Sequence, residues 1–495
     1  MSETIIFAKI KRHQTLTKLI KQFFILFTVL SPFSIFAQDE YVPPENDLDL
    51  QESYKMDLKM NVRLMRRETS GIYSSEIDRL YKSKYKSSIH LANYNHFFFH
   101  EDWNNYLSNV TYKIASNNED YDFSRIRPVM SSYFWANAFS IGEGTVVINP
   151  GIIPYLENED QLAFILCHEF AHYILKHFER KVITLLQDLH SEEFEKEITD
   201  IAESEYYHTT QLKKLLRSKL YETRQHSRSL EIEADSLGLI LFRNAGFELK
   251  EALTTLQILD QISGKHNYDI DISEITNIPP VHYKTSDLLG NASNTDTWLD
   301  LDSIKTHPDC SHRFYLMSAK IGITDSFESF KTTYDPTTSF LGFQRELTYF
   351  IIECYLQYDR IDLALLTIWN HQKSGDDNEY LKKTSFIALS DMVYARKIHN
   401  IGHVFSFPND SMGKAHYDLS SMIFGMRYKD FVNTFYDLAM ESYDESFDGE
   451  EYLYALIKLE YCKGDKDALA DYKAEYLSRF DHISGKYYKE IKYLH

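Results

Sequence analysis

The chain has 495 residues, 43% of them apolar, and a formal net charge of −20. That length allows roughly two to four domains. The acidic balance argues against a nucleic-acid partner, because phosphate binding needs a basic face.

The chain opens on a basic stretch, Lys9 to Lys21, followed by the apolar run "FFILFTVLSPFSIFA" from Phe23 to Ala37. The run is short of the ~20 residues a comfortable membrane span needs. It reads as a signal peptide (1–37) cut near Ala37. A retained anchor helix is the second reading. No later segment is long and apolar enough to span a membrane, so the mature chain is expected to be soluble and exported, periplasmic or secreted. Four cysteines, Cys167, Cys310, Cys354 and Cys462, are scattered without C-x-x-C spacing. They are too few for a disulfide framework and read as buried thiols, with one bridge left open by export.

Residues 38–85 form a polar linker and helices. Next, "IRPVMSSYFW" looks like a strand, and "NAFSIGEGTVVINPGII" reads as a hairpin turning at Gly142 and Gly144. "GTVVIN" (Gly144 to Asn149) is either an edge strand able to pair with an extended substrate or a plain core strand. A strong helix covers "ENEDQLAFILCHEFAHYILKHFERKVITLLQDL", with Glu157, Glu159 and Asp160 at its acidic N-terminal end. A charged helical arm follows at about 190–228 and reads as a solvated face. "SRSLEIEADSLGLILFRNAGF" is a second buried helix that Gly246 ends. Beyond residue 335 helices continue in pairs, turning at Tyr358-Asp359 and at Gly464-Asp465. Ala364, Val432 and Ala468 hold similar places in these pairs, 68 and 36 residues apart. Both separations lie near multiples of the ~34-residue tetratricopeptide period. The region 335–495 is therefore expected to be TPR-like or, failing that, an irregular helical domain.

The chemistry centres on "CHEFAH". Residues four apart share one helix face, so His168 and His172 can present two imidazoles to one metal. Glu169 projects beside them, where a general base for a metal-activated water belongs. The flanks are apolar, and buried histidines beside a buried carboxylate are costly unless paired or metal-bound. Zinc needs a third protein ligand. "LEIEAD" offers Glu231 and Asp235 on one face, while Glu233 points away. We expect Glu231 on the metal and Asp235 behind it, orienting an imidazole. An ordinary solvated helix start is the competing reading. Cys167 falls on another face and reads as core packing. His177 is turned away from the ligand pair by its helical angle and reads as structural.

From Asn137 to Arg313 four blocks, "NAFSIGEGTVVINPGII", "NEDQLAFILCHEFAHYILKH", "LEIEADSLGLILFRNAGF" and "THPDCSHR", occur in an order that resembles the HtpX/BepA-type zinc metallopeptidases, with their Oma and Ste-type relatives. The blocks cover about a third of the chain. The likeness is nearest to the soluble, periplasmic BepA-type members with a C-terminal TPR domain. It implies a gluzincin endopeptidase with one Zn²⁺ per chain on His168, His172 and Glu231, Glu169 as base, and Asp235 behind the ligands. It also implies a near-site role for His307, either blocking the open position or stabilising the reacting oxyanion; a surface-loop histidine is the alternative. Arg313 would then be structural, pairing with an acidic neighbour.

The expected fold is α+β: a mainly helical peptidase domain with a small sheet (86–334), then an all-α TPR-like domain (335–495). The expected partners are a protein or peptide substrate and, through the C-terminal helices, an envelope protein. The expected function is a zinc endopeptidase, in envelope quality control by resemblance. The alternative is a chaperone-like scaffold working through the C-terminal helices.

Overall fold

The computed structural model describes residues 41–192, 196, 199–200, 228–262, 268–279 and 310–494 less 328–329, 332–333, 410–411 and 481–484. The leader, most of the charged arm and His307 lie outside the described residues. The fold is α+β, mostly helical around one four-stranded sheet.

Helices α1 (Leu48–Glu68) and α2 (Ser74–Asn93) come first. Asp47 caps α1 by accepting from the backbone N–H groups of Asp49 and Leu50. Strand β1 (Phe97–Phe98), helix α3 (Glu101–Ser116) and strands β2 (Arg127–Ser131), β3 (Ala138–Ser140) and β4 (Thr145–Ile148) follow. The sheet order is β1-β2-β4-β3. β3 and β4 form the expected hairpin, antiparallel with Phe139 opposite Val147. β4 also runs parallel to β2, with Val129 opposite Val147. That crossover puts β4 in the middle of the sheet, so the edge-strand reading of "GTVVIN" is corrected. β4 is buried on both faces, and β3 forms the border. A strand covered on both sides carries apolar residues without alternation, as "TVVI" does.

The two faces are still sorted by the period of two. Val129 and Val147 face the core made with α1 and α2. Met130, Val146 and Ile148 face the opposite core, made with α3 and the later helices. Gly144 lies at φ +103°, and a Cβ there would meet the Arg125 carbonyl oxygen at 2.2 Å. Only glycine fits the hairpin tip.

A 3₁₀ turn (Pro150–Tyr155) leads to α4 (Glu159–Ile174), capped by the Asn158 side chain accepting from Gln161 N–H. Residues 160–171 are all buried. A helix apolar all round belongs in a core, and α4 runs through this one. The sequence reads as one helix to Leu189, but the chain breaks at Lys176 (φ 54°), and α5 (His177–Leu189) starts in a new direction. Residues 228–244 form α6, followed by α7 (Leu249–Ile262) and α8 (Cys310–Ile321).

The C-terminal half is helical: α9 (Thr338–Gln357), α10 (Ile361–Lys373), α11 (Glu379–Lys397), α12 (Lys414–Gly425), α13 (Tyr428–Ser442), α14 (Glu450–Lys463) and α15 (Lys466–Arg479). Asp359 at φ 55° and Gly464 at φ 84° make the turns of two pairs. α11 packs on both α13 and α14, in addition to its sequence neighbour α10. α9 belongs to two cores. Phe340, Phe343, Leu347 and Phe350 face α3 and α4, while Ile351, Ile352 and Tyr355 face the C-terminal helices. Gln344 also donates to the carbonyls of Ile153 and Leu156. All four cysteines are buried thiols outside any disulfide. Among the described residues no helix is long and apolar enough to cross a membrane.

Candidate metal centre

α4 carries His168, Glu169 and His172 within the core beside β3, while α6 brings Glu231 and Asp235 to the same place. The two helices approach closely because residue 238 has no side chain. A Cβ on Gly238 would lie 3.2 Å from the Cα and N of His168.

Three donor tips converge. Nε2 of His168 and Nε2 of His172 are 3.0 Å apart. The two oxygens of Glu231 lie 3.4 Å from the first and 3.5 Å from the second. A tetrahedral site with bonds of ~2.0–2.1 Å has edges of about 3.3 Å. Each imidazole thus has one Glu231 oxygen close to that edge length, and the two imidazoles are slightly nearer, so two histidines and one carboxylate fit zinc in number and type of donor. Glu169 stands slightly back, with Oε1 4.0 Å from His168 Nε2. Its Oε2 accepts the backbone N–H of Ser140 at 2.9 Å, which ties it to the border strand. Ala138, Ile152, Ile165 and Leu259 line an apolar pocket that reaches His168, Glu169 and Arg313.

Behind His168 stands a buried ion pair. Asp235 Oδ1 is 3.0 Å from His168 Nδ1. Arg313 on α8 donates from Nε and Nη2 to both Asp235 oxygens, at 2.7 and 2.6 Å. Burial alone would raise the Asp235 pKa, but Arg313 and His168 hold it below the usual carboxylate range. Burial also works against charge on His168, yet hydrogen bonds to Asp235 and Glu231 outweigh it and raise its pKa to about 10. The third Arg313 nitrogen, Nη1, is 3.6 Å from Glu231 Oε2 and makes no hydrogen bond.

Sequence reasoning missed the setting of His177. The helix break at Lys176 voids the helical-angle argument that turned it away. As the first residue of α5, His177 is buried, and its Nδ1 lies 2.8 Å from Nδ1 of His172. Burial and the nearby Arg180 lower its pKa to about 4, so the ring is neutral. No residue of "LKH" signals the break, because it is glycine, and sometimes Asn or Asp, that enters the left-handed region routinely, and the break falls on a lysine. Glu233, on a face apart from Glu231 and Asp235, pairs with Arg180 at 2.5 and 3.1 Å.

This region is similar to known peptidases. Residues 104–320 match the sequence model of Peptidase family M48. The chain is 30% identical over 132 residues to "Mitochondrial metalloendopeptidase OMA1" of Schizosaccharomyces pombe, covering 26% of this chain and 36% of that one. It is 25% identical over 130 residues to the Arabidopsis thaliana protein of the same name, covering 26% and 24%. The chain thus spans about a third or less of the length of these curated relatives. Both are mitochondrial by name, which corrects the expectation of an exported, periplasmic or secreted protein. The reason lies in the leader: a basic segment before an apolar run is chemistry that more than one compartment reads. The HExxH helix, the converging Glu231 and the match over residues 104–320 together make this region similar to the M48 metallopeptidases, with Oma-type proteins among the relatives it resembles.

Proposed function

We propose that the chain is a zinc-dependent endopeptidase, with one ion held by His168, His172 and Glu231. The observation that carries this reading is the convergence of the two imidazole Nε2 atoms, 3.0 Å apart, with the Glu231 carboxylate, one oxygen 3.4 Å from His168 and the other 3.5 Å from His172. Zinc, when bound, supplies Lewis acidity toward a peptide carbonyl and a water. Glu169 takes the proton of the attacking water and passes it to the leaving amine. The Ser140 N–H keeps one Glu169 oxygen fixed, so the other faces the reacting position. Asp235 accepts the Nδ1–H of His168, which leaves its Nε2 lone pair for the metal. Arg313 keeps Asp235 ionised.

An extended substrate backbone adds to the border strand β3, beside Glu169. The substrate class is protein or peptide, with unfolded protein favoured by that mode of entry and protein quality control as the role. His307 keeps its proposed near-site role on the resemblance alone. The paired C-terminal helices act as a TPR-like surface that recruits a protein partner. A scaffold without catalysis is the weaker reading, because Glu169 is present and oriented.

The test is cleavage of an unfolded protein by the wild type and by Glu169→Gln, together with zinc content of the wild type and Glu231→Ala. Glu169→Gln should lose about 10²–10⁴-fold in rate while keeping its zinc. Equal cleavage by the two proteins refutes the base, and stoichiometric zinc in Glu231→Ala refutes the ligand.

A further inference from the structure

We infer that His177, Glu233 and Arg180 form a relay behind His172 that fixes its tautomer and ring orientation, so that His177 is a positioning residue for the metal centre. The inference rests on the reading of His172 as a zinc ligand.

An imidazole that offers a lone pair at Nε2 carries its proton on Nδ1. For His172 that proton points at His177 Nδ1, 2.8 Å away. His177 can accept there only if its own proton sits on Nε2. That Nε2 is buried without a hydrogen-bond partner, and Glu233 Oε2 lies 3.6 Å from it. Glu233 is in turn gripped by both terminal nitrogens of Arg180. The line from the metal position outward is thus imidazole, imidazole, carboxylate, guanidinium, with a hydrogen bond between the two rings and a longer electrostatic contact between His177 and Glu233.

The two histidine ligands are therefore backed differently. His168 leans directly on an anion, Asp235, which is buried with Arg313. His172 leans on a second imidazole, with its anion one residue further out and 41% exposed at the side chain. A direct carboxylate makes an imidazole a stronger and stiffer ligand. His172 is accordingly the weaker, more adjustable of the two, and its hold depends on His177 presenting an acceptor.

The experiment measures zinc affinity of the full chain by competition with a chromogenic chelator, alongside melting of the metal-free form. His177→Phe keeps the bulk but removes the acceptor, and should weaken zinc about 10–100-fold. His177→Asn places an amide oxygen near the lost Nδ1 and should restore most of that. Glu233→Gln, at the surface end, should weaken zinc by about 3-fold, a small part of the loss expected of an outer partner, with unchanged melting of the metal-free form. Wild-type affinity in His177→Phe overturns the relay, as do equal losses in His177→Phe and His177→Asn. Failure of the wild type itself to bind zinc would instead overturn the proposed function.

Discussion

Arg313 grips Asp235 through two parallel hydrogen bonds, 2.7 and 2.6 Å long, directly behind His168. Both side chains are buried, so neither charge has water to fall back on. Removing one partner of such a pair typically costs about 3–5 kcal/mol, because the other charge stays behind unpaired. Arg313→Met is expected to lose stability on that scale in urea denaturation of the metal-free protein. Adding Asp235→Asn should recover part of it. A single variant as stable as the wild type would show that the pair is solvated.

The close approach at Gly238 gives a separate handle on the site. Gly238→Ala puts a methyl 3.2 Å from the His168 backbone, a distance that forces α4 and α6 apart by a few tenths of an ångström. Overpacking of this kind costs about 1–3 kcal/mol. The same shift moves Glu231 away from both imidazoles, so zinc affinity should fall along with the melting temperature. Alanine normally favours helices over glycine by about 1 kcal/mol. A stabilised variant with unchanged zinc affinity would contradict the geometry.

Glu143 sits at the hairpin tip, fully buried, with Oε1 accepting from Ser88 at 2.7 Å and Oε2 unpartnered. Burial raises its pKa, and the Ser88 hydrogen bond and the Lys84 charge lower it by less. A raised carboxyl pKa means that the folded state holds the proton longer than the unfolded chain. Its stabilisation is complete below the unfolded value of about 4.3 and is lost as pH rises above it. Glu143→Gln is neutral at every pH and keeps an acceptor for Ser88. Its urea midpoint should exceed that of the wild type at pH 7 and converge with it near pH 4. A gap independent of pH would disprove the buried neutral carboxyl.

Much of this centre is legible in the sequence. His168 and His172, and Glu231 and Asp235, follow from a spacing of four on helices with apolar flanks. Those are local facts, and helix periodicity fixes them. The missed features depend on where the chain turns or crosses. His177 touches His172 because Lys176 adopts a left-handed conformation, which sequence spacing alone does not reveal. The place of β4 between β2 and β3 comes from a parallel pairing across a crossover, whereas the hairpin with β3 is read from Gly142 and Gly144. Gly238 within an apolar helix was a visible hint of close packing, but which backbone it met depended on the tertiary arrangement.

Helix α9 has one last consequence. Its Phe340, Phe343 and Phe350 complete the wall against which α3 and α4 are packed, while its opposite side seals the C-terminal helices. A break in the chain at residue 335 would therefore cut through shared masonry. The N-terminal fragment would be left with an open apolar trench along α3, and the C-terminal fragment would carry an uncovered phenylalanine row. Anything that tugs on the C-terminal helices is joined, through one rod of about 30 Å at 1.5 Å per residue, to the core that also holds the helix bearing His168.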